Sequence, residues 1–312
     1  MIEAQGFSRR QFMGRAIVAG AAGVLAGRSL AGAAAAAEPA GETPWQIGCY
    51  TRPWSDQDWH AAFDAIAEAG YKYVGLMTTK SKSGLIISPA TTPEQAREVG
   101  EEARKRGMKI PSVWGGGIPV DKSVQAGVEA LRKLIDNCAA AGATNLLMGG
   151  VGNPKDADAY YKAIAECCDY AAEKHVGMSL KPHGGTNASG PQCRKSIEQV
   201  GHKNFRLWYD PGNIFYYSEG QLDPAADAAT VDGLVVGMSV KDYLPPKKVD
   251  LTPGTGKVDF PAVLARLKKG GFTSGALAVE CLTLETPVAL DKRLEEARKA
   301  RKFVEELVAK AG

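Results

Sequence analysis

The chain has 312 residues, of which 45% are hydrophobic, so it can bury a core large enough for one sizeable domain or two smaller ones. Ordinary fractions of aromatic (7%) and charged (23%) residues argue against global disorder. The formal charge of +3, from 38 basic and 35 acidic residues, is too small to indicate a nucleic acid or an anionic membrane as a partner.

The first 37 residues have the order of features found in an export signal. A twin-arginine motif, SRRQFM, spans residues 8–13, an apolar stretch follows at 16–25, and small residues at 33–37 precede Glu38. A membrane anchor is the alternative, but the apolar stretch is too short to span about 30 Å of hydrocarbon. We predict a cleaved signal peptide at 1–37, a short linker at 38–44 and one domain at 45–312. The mature chain is then periplasmic or extracellular, with no stable membrane span after cleavage.

From about residue 45, short apolar runs alternate with longer amphipathic ones. The runs typical of strands buried on both faces number eight: Gln46–Thr51, Tyr73–Met77, Ile110–Trp114, Asn145–Gly149, Gly177–Lys181, Phe205–Asp210, Leu234–Val240 and Ala276–Glu280. Eight strands that alternate with helices predict an α/β protein, a single-domain (β/α)8 TIM barrel.

Helical patterns separate most of these strands, and several begin at Asp or Pro and stop at Gly. They cover Asp56–Ala69, Pro93–Arg106, Lys122–Ala141, Asp156–Lys174, Pro191–Val200, Pro261–Lys269 and Leu290–Val308. The stretch between Asp210 and Leu234 has room for a helix but little periodicity. The six cysteines have no CxxC spacing, which favours small buried residues over a zinc site, although an even count leaves one disulfide open.

In such barrels the chemistry lies at the carboxyl ends of the strands. The polar residues at those positions are Lys181, His183, Asp210, Asn213, Ser239, Lys241, Asp242 and Glu280. Of the four histidines, only His183 follows a strand end. Aromatic residues also follow strand ends, and ring faces beside polar groups suit a sugar, although each ring alone is as readily explained by packing. The predicted substrate-binding residues are Trp54, Trp114, Asn213, Phe215 and Lys241.

At these residues the chain resembles the xylose isomerase-like TIM-barrel family, which includes the sugar phosphate isomerases and epimerases. The resemblance covers roughly residues 46–310. It is carried by SLKPHGGTNASG at 179–190, WYDPGNIFYYSEG at 208–220, VVGMSVKDYLPP at 235–246, PGTGKVDF at 253–260 and AVECL at 278–282.

The resemblance implies a divalent metal, Mn²⁺, Mg²⁺ or Zn²⁺, held by Glu, Asp, His and Glu at strands five to eight. Asp210 and Glu280 match this pattern, but Lys181 replaces the first Glu and Ser239 replaces the His. An ammonium cannot coordinate a cation and repels it. Two possibilities therefore remain open: a rebuilt metal site of His183, Asp210 and Glu280, or a metal-free protein.

We hypothesise that Lys181 replaces both the missing carboxylate and the charge of the metal. Asp210, Glu280 and a protonated Lys181 sum to −1, as do three carboxylates and a divalent ion. A fixed cation can stabilise an enediolate. In this hypothesis Lys181, His183 and Glu280 are the catalytic residues. The alternative is that Lys181 merely pairs with Asp210 or Glu280 in an inactive site.

The resulting expectation is an exported sugar isomerase or epimerase that abstracts a proton beside the carbonyl of a sugar or keto-sugar. Elimination from a 3-keto-glycoside, a lyase reaction, shares that step. The main alternative is a non-catalytic carbohydrate-binding protein or partner subunit with a degenerate metal site. A two-carboxylate glycosidase is a further alternative, whereas a single candidate histidine is too few for a three-metal endonuclease. The expected partner is a small carbohydrate, and an oligomer is compatible with the sequence.

Overall fold

Eight parallel strands form the centre of the protein in a computed structural model that describes residues 43–284 and 289–311. The strands are β1 (Trp45–Tyr50), β2 (Tyr73–Gly75), β3 (Val113–Trp114), β4 (Asn145–Met148), β5 (Gly177–Leu180), β6 (Phe205–Tyr209), β7 (Val235–Val240) and β8 (Gly275–Val279). Their order in the sheet is β2-β1-β8-β7-β6-β5-β4-β3. The two end strands meet through parallel bridges, Tyr73 with Lys109 and Leu76 with Val113, so the sheet closes into a nearly complete barrel.

Helices connect the strands and cover the outside of the barrel. They are α1 (Trp59–Glu68), α2 (Pro93–Lys105), α3 (Val124–Ala141), α4 (Ala157–Glu173), α5 (Gly190–Val200), α6 (Pro211–Tyr217), α7 (Pro224–Ala228), α8 (Phe260–Lys269) and α9 (Leu290–Ala311). The architecture confirms the predicted single (β/α)8 TIM barrel.

Local sequence signals set the helix ends. Thr92 and Gln95 form a reciprocal capping box at the start of α2. Gly142 ends α3 and Gly201 ends α5, each with a left-handed backbone that glycine adopts without strain. The stretch between β6 and β7 holds α6 and α7, which are only seven and five residues long. Helices this short complete at most two turns, which explains why the sequence shows little periodicity there.

The interior of the barrel is a packed apolar layer. Its buried members are Tyr50, Met77, Leu147, Trp208, Ala276 and Ala278. Tyr50 lies on β1 and Trp208 on β6, which are not neighbours in the sheet, yet their ring centroids are 6.4 Å apart across the barrel. Large side chains from a few strands therefore fill the space that small residues on the others leave.

All six cysteines are buried and free, as expected for small core residues, so none of them forms a disulfide. In the described part of the chain, no helix is long and apolar enough to cross a bilayer. The predicted signal peptide at 1–37 and most of the predicted linker lie outside the described residues.

A substitution at Gly237 tests the packing of the barrel interior. A Cβ added there would lie 2.4 Å from the Trp208 ring, far inside van der Waals contact. We expect Gly237→Ala to lower the free energy of unfolding by about 1–3 kcal/mol, because the ring has to move within a closed barrel. The matched control is Gly152→Ala, at an exposed loop position where an added Cβ meets nothing within 4 Å. Urea unfolding of both variants measures the difference, and equal stability would contradict this account of the interior.

Candidate active site

Four consecutive strands are each followed directly by a charged residue. Lys181 follows β5, Asp210 follows β6, Lys241 follows β7 and Glu280 follows β8. Their exposed fractions are 1%, 0%, 5% and 2%, so all four charges are buried. Because parallel strands bring their carboxyl ends to the same end of a barrel, these side chains converge at its mouth.

The two lysines and the two carboxylates form one ionic network. Lys181 Nζ lies 2.9 Å from Asp210 Oδ2 and also donates to Glu280 Oε2. Lys241 Nζ lies 2.8 Å from Glu280 Oε1 and 3.7 Å from Asp210 Oδ2. Each carboxylate therefore faces two ammonium groups. Lys181 pairs with both acidic residues, whereas the sequence analysis considered pairing with one or the other.

Asn213 fixes the position of Lys241. Its side-chain oxygen accepts from Lys241 Nζ at 2.9 Å, and its amide group donates to the carbonyl of Pro182 at 2.7 Å. The Asn213 backbone N–H donates to Asp210 Oδ1 at 2.9 Å, which caps α6. One oxygen of Asp210 thus starts a helix while the other faces the lysines.

Arg52 is a third cation at this site, and it is not among the site residues predicted from the sequence. It lies in a 3-10 helix, Arg52–Trp54, that follows β1. Its Nη1 lies 3.6 Å from Glu280 Oε1 and contacts the Cys281 sulfur, and its Nη2 lies 3.1 Å from Asp250 Oδ1. Its position just after a strand end was the available signal. The predicted charge of −1 counted one lysine only; among the described residues, the three cations Lys181, Lys241 and Arg52 exceed by one the two buried carboxylates that they contact, Asp210 and Glu280.

The network fixes the protonation states of its members. Burial raises the pKa of Glu280, but the charges of Lys181, Lys241 and Arg52 outweigh it and hold that pKa well below its usual range. Burial lowers the pKa of Lys241, and the attraction of Glu280 and Asp210 outweighs this and raises it. Glu280 is therefore ionised and Lys241 protonated at neutral pH.

The network forms the floor of a cleft of about 490 Å³ with aromatic walls. Trp114, His183, Tyr216 and Tyr217 line it. The His183 ring lies between two of these rings, with centroid distances of 5.1 Å to Trp114 and 5.7 Å to Tyr217. The Trp114 ring centroid is 5.8 Å from Lys181 Nζ. This size suits one small polar molecule with an apolar face.

His183 is a neutral group on the wall of the cleft. Its ring is exposed to the cleft while protein surrounds much of it. This partial burial, followed by repulsion from Lys181 and Lys241, lowers its pKa to about 4. The exposed ring keeps contact with solvent, which screens part of this repulsion. At neutral pH it presents an uncharged ring nitrogen to the cleft.

The predicted substrate-binding residues separate into two groups. Trp114, Asn213 and Lys241 line the cleft. Trp54 is instead 1% exposed within the core, and Phe215 stacks on Tyr243 with ring centroids 5.3 Å apart. Neither Trp54 nor Phe215 lines the described part of the cleft, so their positions agree with the packing alternative and give no support for ligand contact.

Asp242, the neighbour of Lys241, organises the loop after β7. It is fully buried, and its carboxylate accepts from the backbone N–H groups of Tyr243, Gly254, Gly256 and Val258. Both ends of segment 243–258 are thereby tied to one side chain. This segment carries Asp250 and Lys247 to the rim of the cleft.

The residues present do not fit a divalent metal. Within the described ranges, no three His, Cys, Asp or Glu side chains form a group able to hold an ion, so His183, Asp210 and Glu280 do not come together as the predicted ligand set. Lys181 and Lys241 contact the oxygens that a metal would need, and their charges would repel it. Ser239 is fully buried and, among the described residues, its hydroxyl has no hydrogen-bond partner.

The family follows from the sequence as well as from this architecture. Residues 63–307 match the profile of the xylose isomerase-like TIM barrel, so the chain belongs to that family. A search of curated protein sequences finds no match.

Solved structures share the fold at low sequence identity. A xylose isomerase domain protein from Planctomyces limnophilus is 16% identical, with a TM-score of 0.64, and the match covers 86% of this chain and 97% of that one. A D-psicose 3-epimerase is 13% identical, with a TM-score of 0.67 and coverages of 84% and 99%. A D-allulose 3-epimerase from Methylomonas sp. is 18% identical, with a TM-score of 0.66 and coverages of 85% and 98%.

The lysine network predicts weak metal binding. We expect the protein, purified without chelators or a histidine tag, to hold far less than one equivalent of Mn, Mg or Zn by elemental analysis. The double variant Lys181→Glu/Ser239→His replaces one ammonium by a carboxylate and adds an imidazole, so we expect it to bind more Mn²⁺ than the parent. A stoichiometric metal in the parent protein would overturn the charge-replacement hypothesis.

The low pKa of His183 depends on its cationic neighbours. Histidine-selective NMR titration is expected to give a pKa near 4 in the parent protein. In Lys181→Met the pKa is expected to rise toward its ordinary value of about 6.5, because one repelling charge is lost and the carboxylates lose a partner. The control is Lys72→Met, since Lys72 precedes β2 at the opposite end of the barrel. An unchanged pKa in Lys181→Met would show that Lys181 does not contribute to the lowering.

Proposed function

We propose that this protein is an isomerase or epimerase of a sugar or keto-sugar, and that Lys181 and Lys241 take the electrophilic role of a metal. The observation that carries the proposal is the pair of ammonium groups held by Asp210 and Glu280 on the floor of an aromatic cleft. The family membership and the likeness to the psicose and allulose 3-epimerases support this class of reaction.

The reaction begins when a substrate carbonyl oxygen accepts hydrogen bonds from the two lysines. A group on the enzyme then removes the proton from the neighbouring carbon. The C–H electron pair forms the C=C bond of an enediolate, and the carbonyl oxygen takes up negative charge, which the ammonium groups stabilise. Return of the proton to the other face of that carbon gives an epimer. Its return to the former carbonyl carbon, with transfer of the neighbouring hydroxyl proton to the former carbonyl oxygen, gives an isomer.

Glu280 is the proposed proton acceptor. In the free enzyme its two oxygens are held by Lys181 and Lys241, which makes it a weak base. When the substrate oxygen takes over hydrogen bonds from these lysines, the carboxylate loses part of its stabilisation and its proton affinity rises. The proton therefore moves to Glu280 as charge develops on the enediolate.

His183 is the proposed second proton carrier. It follows β5, whereas Glu280 follows β8, three strands further round the barrel. Two groups at separate positions of one cleft can approach a sugar carbon from different faces, as an epimerisation requires. For epimerisation, Glu280 holds the proton it has removed, while the exposed His183 ring takes up a proton from solvent and delivers it to the other face of the carbon; Glu280 then releases its proton to solvent.

Two other functions are compatible with the same observations. Elimination from a 3-keto-glycoside begins with the same proton abstraction and ends with loss of the glycosidic oxygen instead of reprotonation. A non-catalytic carbohydrate-binding protein is the second candidate function. It is favoured by the complete pairing of both carboxylates with lysines, an arrangement that also suits a rigid binding floor.

The proposed location is outside the cytoplasm. It rests on the twin-arginine motif at 8–13 and the apolar stretch that follows it. An exported enzyme meets free sugars and glycosides more readily than phosphorylated metabolites. The proposed partner is accordingly a small carbohydrate.

Exchange of carbon-bound hydrogen in D₂O separates the enzyme from the binder. Ketohexoses and 3-keto-glucosides are incubated with the protein, and deuterium next to the carbonyl is followed by NMR. We expect exchange with the parent protein and a loss of about 10²–10⁴-fold in Glu280→Gln, because the proton acceptor is lost. The control Glu305→Gln, at an exposed position on α9, is expected to retain full activity. Binding without exchange, little changed in Glu280→Gln, would favour the non-catalytic protein.

A further inference from the structure

Arg52 joins the floor of the cleft to its rim. Its side chain is 31% exposed, and it reaches the buried Glu280 on one side and Asp250, whose side chain is 71% exposed, on the other. From this arrangement we infer that the substrate is an acidic sugar, such as a uronate, whose carboxylate pairs with Arg52. The inference rests on the proposed function for the reaction but names a substrate class that the fold does not.

The charges of the cleft indicate the charge of its ligand. Among the described residues, Lys181, Lys241 and Arg52 contact two buried carboxylates, Asp210 and Glu280, and the third carboxylate beside them, Asp250, is exposed. One positive charge is therefore left over among the groups below the rim. A cleft with one excess cation favours a ligand with one negative charge, because such a ligand makes the bound site neutral.

The position of Asp250 indicates where a ligand carboxylate would bind. It neutralises Arg52 in the free protein through a contact of 3.1 Å, but an ion pair with so exposed a partner is weak. Asp250 thus marks the place beside Arg52 Nη2 where a carboxylate is accepted. A ligand carboxylate within the cleft would be shielded from water and would form a stronger pair with the same guanidinium.

The number of free charges favours a carboxylate over a phosphate. A phosphate monoester carries close to two negative charges at neutral pH, whereas Lys181, Lys241 and Arg52 exceed the buried carboxylates that they contact by one charge. Lys247, the other basic residue of the rim, is already paired with Glu219 at 3.0 Å. A sugar carboxylate with one charge matches the site, and Arg52 Nη2 is the donor that it would take over from Asp250.

Matched ligands test this inference by isothermal titration calorimetry. D-Glucuronate and D-galacturonate are compared with D-glucose, D-galactose and D-glucose 6-phosphate. We expect the uronates to bind the parent protein at least about tenfold more tightly than the neutral sugars, and Arg52→Gln to remove that difference. Asp250→Asn removes the competing carboxylate and is expected to tighten uronate binding about two- to fivefold relative to the binding of the neutral sugars. Arg298→Gln, which breaks an exposed pair with Glu68, is the control.

Each outcome decides the question. Equal affinity for acidic and neutral sugars, or a preference for the phosphate, overturns the inference. If Arg52→Gln does not fold, the response of Asp250→Asn decides alone, since that change lies at an exposed side chain. Failure of the proposed function is separate: uronate selectivity without exchange in D₂O retains the acidic ligand and rejects the enzyme. Hydrogen exchange in neutral keto-sugars without uronate selectivity retains the enzyme and rejects the acidic ligand.

Discussion

Four buried charges at the mouth of the barrel depend on one another. Moving an ion from water into a protein costs several kcal/mol, and only close pairing offsets that cost. Lys181 and Lys241 each contact Asp210 and Glu280, so removing any one of them leaves the others partly uncompensated. Arg52 and Asn213 complete the network from the short helices that follow β1 and β6. The shape of the cleft floor is therefore a consequence of charge pairing, and its aromatic walls are built around it.

Replacing a divalent ion by ammonium groups changes what the site can do. A metal binds two substrate oxygens in a fixed geometry and polarises a carbonyl directly. An ammonium supplies charge and hydrogen bonds and can move with its side chain, but it holds no second oxygen in place. Substrate orientation then has to come from other contacts. Trp114, Tyr216 and Tyr217 supply apolar faces, and Arg52 supplies a planar pair of donors at the rim.

The sequence predicts the strands well because each is a short apolar run with clear boundaries, and most predicted ends lie within one residue of the observed ones. Strands β2 and β3 are shorter than predicted, since they meet through isolated bridges where the barrel closes. At the site, the strand-end rule identifies Lys181, Asp210, Lys241 and Glu280 without any knowledge of their pairing. Arg52 directly follows the predicted end of the first strand, so the same rule could have selected it, but its contact with Glu280 depends on side-chain reach from a short helix, which periodicity does not encode.

The position of the network argues that it has a role beyond stability. Buried ion pairs often stabilise a fold no better than well-packed apolar residues of similar volume do. The interior of this same barrel shows the apolar solution, with Tyr50, Leu147 and Trp208 among the side chains that fill it. The four residues of the network lie in the layer at the carboxyl ends of the strands, beneath a cleft of about 490 Å³. A layer that is costly to bury and open to a small molecule is most simply explained by what it binds.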